Sequence, residues 1–457
     1  MRKRSVFIWF RGLPRGYLAL LGGQTVSVLG SQVTLLALPL TAISLFGAGP
    51  SEVGLLLACG KAPYLVLGLF AGVMVDRLPH RPILLIANLL MALTLATIPL
   101  LAGLGHLGMV QLYTANTLLG VAAVIVDVAY LACVPTMLDR SLLVRAQSSL
   151  QVGRAGALAT GPFLAGWLVS VVSAPMAILA DSSSFVFAAA LIFLVPAGTA
   201  DRPAVQSRRL LDEIAEGLSA VFGNRRLRSV TLANSTFVFC YNAYSAVFVL
   251  YLTKELGLGG GTIGVVLGIG AFGGILGAVI SPWVGRVIGL GPVLMVGLAL
   301  SAAGMALATL LTEPAWAAIA CVALSQFLLW VGQDIFNVQQ VPIRYALAPQ
   351  WAQGRVNASI RTLVWGMATL GALAGGASGA GPGLRATLFA SSLLGLASVL
   401  WIWWSPLRHT QKLAQLTTSL IGGKRPLGDK GTKRSRRSAG SADAVASRRA
   451  WSRLLAA

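Results

Sequence analysis

Twelve apolar runs, each of about 20 residues or more, recur along this chain of 457 residues. Folded as an α-helix, a run of that length crosses the roughly 30 Å hydrocarbon core of a bilayer. Because that core offers no water to backbone groups, each run must satisfy its hydrogen bonds within its own helix. The sequence predicts an all-α integral membrane protein whose spanning segments lie at about residues 18–45, 52–75, 82–104, 108–134, 147–171, 175–196, 230–252, 262–285, 291–311, 315–342, 357–380 and 384–405.

The charge of the chain is distributed as in a membrane protein. Charged residues make up 11% of the chain, whereas about a quarter is usual in soluble domains. The formal net charge is +21, but residues 407–457 alone contain 12 Lys or Arg and 2 acidic residues. Basic loops fall almost all on one side, which predicts a plasma-membrane protein with both termini in the cytoplasm. We expect membrane lipid, and no nucleic acid, as the partner of the basic tail.

The segments form two groups of six that repeat one another. Asp127 and Pro135 recur 207 residues later as Asp334 and Pro342. The glycines of segment 5 recur 210 residues later in segment 11: Gly156, Gly161 and Gly166 correspond to Gly366, Gly371 and Gly376. Because each group has six segments, both groups enter the membrane in the same direction. This is a parallel repeat, and a site between its halves is expected near the midplane of the bilayer.

The repeat also predicts the domain organisation. We expect a basic N-terminus at 1–17, a first six-helix bundle at 18–196, a linker at 197–229, a second bundle at 230–406 and a disordered basic tail at 407–457. In the linker, apolar residues at helical spacing predict an amphipathic helix that lies on the cytoplasmic face of the membrane. We expect the protein to be a monomer.

Residues that could hold a metal or perform covalent chemistry are scattered. The 3 histidines and 4 cysteines show no metal-ligand spacing. The sequence contains neither a nucleophile–base arrangement nor a phosphate-binding loop. It therefore predicts no cofactor, no metal and no enzymatic activity.

Two motifs connect the chain to a known family. The loop between segments 2 and 3 reads Gly72-Val-Met-Val-Asp76-Arg77-Leu-Pro-His80-Arg81 and resembles the signature loop of the major facilitator superfamily. Segment 5 contains Gly161-Pro162 and then Gly166, which resembles the antiporter motif of that superfamily. The chain looks like the drug-exporter branch, which includes macrolide efflux proteins and the enterobactin exporter. The resemblance implies a fold of two pseudo-symmetric six-helix bundles.

The resemblance further implies contacts that close the cytoplasmic side. Asp76 is expected to face the start of segment 11, where exposed N–H groups and Arg361 favour an anion. The alternative for Asp76 is a solvated surface position. Asp127 is expected to contact the basic end of the signature loop, Arg77 to Arg81, where His80 makes the contact sensitive to pH.

Other embedded acids have several interpretations. By the repeat, Asp334 is expected to pair with Arg286. An acid held by cations is a poor proton carrier near neutral pH, so we interpret Asp127 and Asp334 as gating or structural groups, with proton coupling as the alternative. Asp181 is interpreted as a cap or first-turn acid of segment 6. The resemblance leads us to expect an acid near Ser31, and its absence there leaves the proton-coupling residue open.

Polar side chains at helical spacing follow one face of segments 1, 7 and 10. We predict that these faces line a water-accessible binding cavity, with hydrogen bonding inside a closed core as the alternative. The candidate substrate-binding residues are Gln24, Ser27, Ser31, Asn234, Tyr241, Ser245, Gln326, Trp330, Gln333 and Asn337. Amides and aromatic rings without a carboxylate favour a bulky, mostly apolar substrate with a few hydrogen-bonding groups.

The sequence thus predicts a secondary active exporter of a drug or natural product that works by alternating access as a proton antiporter. Its partners are expected to be a small-molecule substrate and protons. The alternatives are a lipid or lysolipid flippase on the same fold, a siderophore exporter and a sensor that does not transport.

Overall fold

The computed structural model describes residues 13–68, 79–138, 142–194, 210–310, 313, 315–348 and 353–411, and all regular elements in these ranges are helical. The first six α-helices are α1 (Arg15–Phe46), α2 (Pro50–Leu67), α3 (His80–Gly103), α4 (Met109–Met137), α5 (Leu143–Val172) and α6 (Ala174–Ile192). They are followed by α7 (Leu210–Gly223), α8 (Arg225–Lys254), α9 (Gly260–Ile288), α10 (Leu290–Leu307), α11 (Ala315–Leu347), α12 (Gln353–Ala380) and α13 (Leu384–Trp403). A 3₁₀ turn, Pro406–His409, follows α13.

The all-α membrane fold predicted from the apolar runs is confirmed. In the described ranges, 11 helices are long and apolar enough to cross a membrane. Segments 1–6 correspond to α1–α6, and segments 7–12 correspond to α8–α13. The helix α2 covers the first part of segment 2, whose remainder lies outside the described residues.

The helices pack in two matching sets, α1–α6 and α8–α13. In the first set α1 packs against α5 and α6, α2 against α4, and α3 against α4 and α6. In the second set α8 packs against α12 and α13, α9 against α11, and α10 against α11 and α13. Each pair in one set has its counterpart in the other, as a parallel repeat requires. The exact domain bounds stay a prediction.

The two sets meet along two helix pairs, α2 with α12 and α5 with α9. At one end of the molecule both pairs touch through glycines. A Cβ atom added at Gly54 would lie 2.6 Å from the Cα of Gly376, and one at Gly166 would lie 2.5 Å from the Cα of Gly264. Gly54 and Gly264, like Gly166 and Gly376, are 210 residues apart. The two crossings are therefore copies of each other in the repeat, and each needs small residues for backbone-to-backbone contact.

We call the end with the glycine crossings the far side, and the end that carries α7 the linker side. On the far side, Lys254 at the end of α8 also donates hydrogen bonds to the carbonyls of Gly47 (3.3 Å) and Ala48 (3.2 Å), just after α1. Gly47 ends α1 with φ of 63°, a left-handed conformation that glycine adopts without steric cost. The far side is thus closed by backbone contacts between the sets.

The helix α7 lies on the linker side against the second set. Gly217 packs on the Arg355 carbonyl and the Ser359 hydroxyl of α12, and Glu216 forms an ion pair with Arg355. Val221 of α7 is buried. The sequence predicted an amphipathic helix lying on the membrane face. The helix is present and docks on α12, because Gly217 allows close approach of the two backbones. Its position on the membrane face stays a prediction.

Candidate functional site

A cavity of about 210 Å³ opens on the inner face of the first set. Its wall comes from α1, α2, α3, α4 and α6, and most of that wall is apolar. The polar side chains that line it are Ser31, Thr34, Lys61, Tyr64, Asn116 and Asp181. Among these, Asp181 contributes the acid and Lys61 the cation. Ser31 is the member of the predicted binding set that lines this cavity.

Asp181 lies two turns inside α6 and is only 1% exposed. Thr34 of α1 donates a hydrogen bond of 2.5 Å to its Oδ2 atom, and Ser184 donates one of 3.1 Å to Oδ1. The Ser31 hydroxyl also lies near the carboxyl group. The interpretation as a helix cap is wrong, because α6 begins at Ala174. The side chain instead crosses from α6 to α1.

Lys61 of α2 and Asn116 of α4 also line the cavity. The Lys61 Nζ atom lies 5.0 Å from the centre of the Trp365 ring of α12, a cation–π contact between the two sets. Asn116 donates a hydrogen bond of 2.6 Å to the Leu56 carbonyl, which ties α4 to α2. Asn116 is not among the predicted binding residues, because those residues form stripes of several polar side chains on one helix.

A second polar cluster joins the two sets next to this cavity, and Tyr64 belongs to both. The rings of Tyr64 and Trp365 stack with centroids 4.4 Å apart and planes 16° apart. Asp127 of α4 accepts hydrogen bonds from the Tyr64 hydroxyl (3.1 Å) and from Arg361 of α12 (3.0 Å). Arg361 also lies over the Tyr64 ring, 5.7 Å from its centre. We call Tyr64, Asp127, Arg361 and Trp365 the bridge cluster.

The bridge cluster corrects the pairing expected for Asp127. In the described part of the chain its partners are Tyr64 and Arg361, whereas Arg81 donates a hydrogen bond of 2.9 Å to the Phe193 carbonyl after α6. The Nδ1 atom of His80 is buried without a hydrogen-bond partner in the described part of the chain. The physical reason is helix placement: α4 presents Asp127 toward α2 and α12, while α3 begins beside the end of α6. The remaining signature-loop candidates, Gly72, Asp76 and Arg77, lie outside the described residues.

The pairing of Asp334 with Arg286 is also wrong. Asp334 packs against Gly274, in the middle of α9, with Asn337 in hydrogen-bonding reach. Arg286 is 12 residues further along α9, which is about 18 Å at the helical rise of about 1.5 Å per residue. Its Nε atom instead donates a hydrogen bond to the Pro282 carbonyl of its own helix (3.3 Å).

The predicted polar face of segment 10 forms contacts inside the second set. The buried Gln326 side chain donates a hydrogen bond of 3.3 Å to the Tyr244 hydroxyl. Trp330 packs edge-to-face on Tyr241, with ring centroids 5.9 Å apart. These contacts bring α8 and α11 together, which agrees with the hydrogen-bonded core that the sequence left as an alternative.

The other predicted binding residues are spread over the inner surfaces. Asn337 accepts a hydrogen bond of 2.9 Å from Gln340, and the Oε1 atom of Gln333 is buried without a partner in the described residues. Asn234 and Ser27 are buried, and Gln24 and Ser245 are half-buried. The described structure does not bring these residues into one cavity with Ser31.

The predicted antiporter motif lies where α5 crosses the second set. Gly161 packs against Gln32 of α1, and the Pro162 carbonyl lies 2.8 Å from where a Cβ of Gly264 would be. Gly166 forms the far-side crossing itself. The small residues of this motif thus allow α5 to contact both its own set and α9.

Comparison with known proteins agrees with this architecture. The family model of the Major Facilitator Superfamily matches residues 20–338, and the chain therefore belongs to this superfamily. It is a multi-pass membrane transporter of small molecules and not an enzyme. The chain is 26% identical over 381 residues to the multidrug efflux pump Tap of Mycolicibacterium fortuitum. This alignment covers 80% of this chain and 89% of Tap.

Solved structures share the fold. A bacterial homologue of the iron transporter ferroportin in an inward-facing state is 18% identical, with a TM-score of 0.66, and covers 87% of this chain and 100% of that one. The nucleoside transporter NupG is 13% identical, with a TM-score of 0.67, and covers 85% of this chain and 98% of that one. Identities this low show the shared fold and carry no information about substrate.

Proposed function

We propose that the protein is a secondary active exporter that moves a bulky, largely apolar drug or natural product out of the cell by alternating access, coupled to proton antiport. The similarity to a multidrug efflux pump over 80% of the chain supports export. The cavity supports the substrate class, because its mostly apolar wall carries a few hydrogen-bonding groups.

The observation that carries alternating access is the unequal contact between the two sets. The helices α2 and α12 contact each other both at the far-side glycines and, toward the linker side, at the bridge cluster. The glycine and ring contacts that join α5 to α9 lie between Pro162–Ser170 and Gly260–Phe272, in the far-side halves of both helices. Beside the linker-side end of α5, a groove of about 600 Å³ opens at Leu143, Gln147, Ser148 and Gln151.

This arrangement corresponds to a transporter that is closed on the far side. On the linker side, a groove opens beside α5, while α2 and α12 are still joined by the bridge cluster. We propose that the linker side faces the cytoplasm of a cell whose inner membrane holds the protein, with both termini on that side. The positive charge of the loops between segments supports this orientation. Substrate would enter from the linker side, and the sets would then rock about the glycine crossings to open the far side.

The bridge cluster is the proposed linker-side gate. Asp127 belongs to the first set, and Arg361 and Trp365 belong to the second. A contact between the sets on this side persists only while the linker-side ends of α2 and α12 stay together. Asp76 remains proposed as a further gate residue that faces the start of α12, with Gly72 and Arg77 in its supporting loop. Arg81 instead contacts Phe193 within the first set.

The experiment is ethidium efflux from cells that do or do not express the protein, with and without a protonophore. Ethidium is bulky and mostly apolar and carries a few amino groups. We expect faster efflux with the protein and loss of that difference when the protonophore collapses the proton gradient. Efflux that persists without the gradient would contradict antiport. Movement of a fluorescent lysolipid, but not of ethidium, would instead favour the flippase.

A further inference from the structure

The cavity of the first set holds its acid in an environment made of hydroxyl groups. Thr34, Ser184 and Ser31 surround the Asp181 carboxyl, which is almost fully buried. Hydroxyl groups both donate and accept hydrogen bonds, and their hydrogen atoms rotate. They can therefore satisfy a carboxylate as donors and a neutral carboxylic acid as acceptors. No rearrangement of the helices is needed between the two forms.

The space around this carboxyl is made by a glycine. At Gly30 of α1, an added Cβ would lie 2.6 Å from the Asp181 Oδ1 atom and would also collide with the Ser184 hydroxyl. Any side chain at position 30 would push the carboxyl away from its donors. The crossing of α1 and α6 thus has room for Asp181 together with Ser184.

The charged groups around the cavity leave Asp181 without a direct counter-charge. Lys61 and Tyr64 face the cavity from α2, Asn116 faces it from α4, and Met91 faces it from α3. The Asp181 carboxyl accepts hydrogen bonds from the hydroxyls of Thr34 and Ser184, and it forms no ion pair with a cation of the described residues. Asp127 differs, because it forms an ion pair with Arg361.

The second set lacks this acid. The residue 210 positions after Asp181 is Ser391, and the residue 210 positions after Thr34 is Tyr244. Tyr244 takes part in the amide and aromatic contacts of α8 and α11. The corresponding positions of the two sets therefore have different chemistry: the first set has a carboxyl group here and the second set has a serine.

On the basis of the proposed antiport, we propose that Asp181 is the residue that binds and releases the exchanged proton. This carboxyl lines the cavity, and within the described residues it is hydrogen-bonded by hydroxyls and forms no ion pair. Its protonation state can therefore change as the cavity empties and fills. On the linker side, the carboxylate form is favoured while a cationic or polarised substrate occupies the cavity. On the far side, substrate leaves and a proton replaces it on a carboxyl oxygen. Lys61 is the cation that lines the same cavity.

The other possible role of Asp181 is structural, as a polar pin between α6 and α1. The Asp181→Asn variant keeps the shape and a hydrogen-bonding oxygen but cannot exchange a proton. The Thr34→Val variant keeps the shape of Thr34 and removes one donor to the carboxylate. If Asp181 binds the exchanged proton, Thr34→Val must change the pH dependence of its protonation. If Asp181 only ties α6 to α1, Thr34→Val should change the stability of the protein and nothing else.

The first test uses the full-length protein in liposomes with ethidium as the probe. The permanent charge of ethidium prevents a pH gradient from driving it in the absence of protein. We expect Asp181→Asn to abolish gradient-driven accumulation while downhill ethidium flux at equal pH continues. Accumulation by Asp181→Asn equal to that of the wild type would overturn the proposal. Absence of gradient-driven accumulation by the wild type would overturn the proposed antiport instead.

The second test needs no substrate. Infrared difference spectra of the liposomes over a series from about pH 5 to about pH 9 detect the C=O stretch of a protonated carboxyl. We expect a titrating band that Asp181→Asn lacks and whose midpoint moves up by about one pH unit in Thr34→Val, because a lost donor disfavours the carboxylate. Thr41→Val is the matched control, since the Thr41 hydroxyl bonds the Ala37 carbonyl of its own helix. Wild-type and Asp181→Asn spectra that titrate identically would overturn the assignment.

Discussion

At the residue scale, the Arg361 side chain joins the two sets within the bridge cluster. Arg361 sits on α12 of the second set and reaches Asp127 and Tyr64 of the first set. The side chains of Arg361 and Asp127 are 41% and 36% exposed, so water screens the pair. Its contribution to overall stability is then about 1 kcal/mol or less. The same energy still changes the ratio between two conformations roughly fivefold.

We expect Arg361→Gln to lower ethidium transport clearly while the melting temperature of the purified protein changes little. The physical reason is that the variant loses a contact between sets but no core packing. Asp127→Asn should have the same effect, and the double variant should be no worse than either single variant, because both remove one interaction. Additive losses would show that the two residues act separately.

Arg81→Gln is the matched control for this residue. Arg81 bonds the Phe193 carbonyl, so its contact stays within the first set. We expect its transport to remain near the wild-type level under the same conditions. A loss equal to that of Arg361→Gln would mean that the signature loop, and not the bridge cluster, carries the gate.

At the element scale, the glycine crossings fix how closely the helices approach. Gly54 meets the Gly376 backbone, and its repeat counterpart Gly264 meets the Gly166 backbone. Gly156 lies on the same helix as Gly166 but has nothing within 4 Å of an added Cβ. The same substitution therefore has opposite consequences at two glycines of the membrane helices.

We expect Gly54→Ala to reduce both transport and thermal stability. An added methyl group at 2.6 Å from the Gly376 Cα must push α2 from α12, and overpacking of this kind costs about 1–3 kcal/mol. Gly156→Ala should be neutral or slightly stabilising, because alanine favours helix by up to about 1 kcal/mol and meets no neighbour. Melting temperature and ethidium efflux are measured for both variants. If Gly54→Ala and Gly156→Ala gave the same melting temperature and the same efflux, Gly54 would not be in a tight contact with α12.

The correspondence of the crossings can be read directly in the sequence. Gly54 and Gly264 share the offset of 210 that related Gly166 to Gly376. The helices, the repeat and the polar character of α11 were all predictable, because hydropathy and helical period are local properties. Partners across helices were not, because Asp127 could contact any basic group at its depth in the membrane.

At the scale of the whole molecule, the far side must open for substrate to leave. A Cβ at Gly261 of α9 would lie 3.5 Å from the Cβ of Ser170 of α5. This separation suits a disulfide, whose Cβ atoms are usually about 3.5–4.5 Å apart. A bond at this place would join the two sets directly beside a glycine crossing.

We expect the double variant Ser170→Cys with Gly261→Cys to form a disulfide on oxidation and to lose transport. A reducing agent should restore transport, because the bond locks the far side closed without changing the cavity. Non-reducing and reducing gel mobility after a protease cut in the linker reports the bond, and ethidium flux reports activity. Each single cysteine variant is the control, and full transport by the oxidised pair would contradict rocking about the crossings.

The sequence by itself determined the all-α membrane fold, the two sets of six helices and the membership in a transporter superfamily. These follow from run length, hydropathy and a repeat, each of which can be read along the chain. Only the tertiary structure decided that Asp127 pairs with Arg361, that Asp334 and Arg286 are apart, and that Asp181 reaches α1. The reason is that such contacts depend on helix rotation and on which helices adjoin, and both are set by packing between segments far apart in the chain.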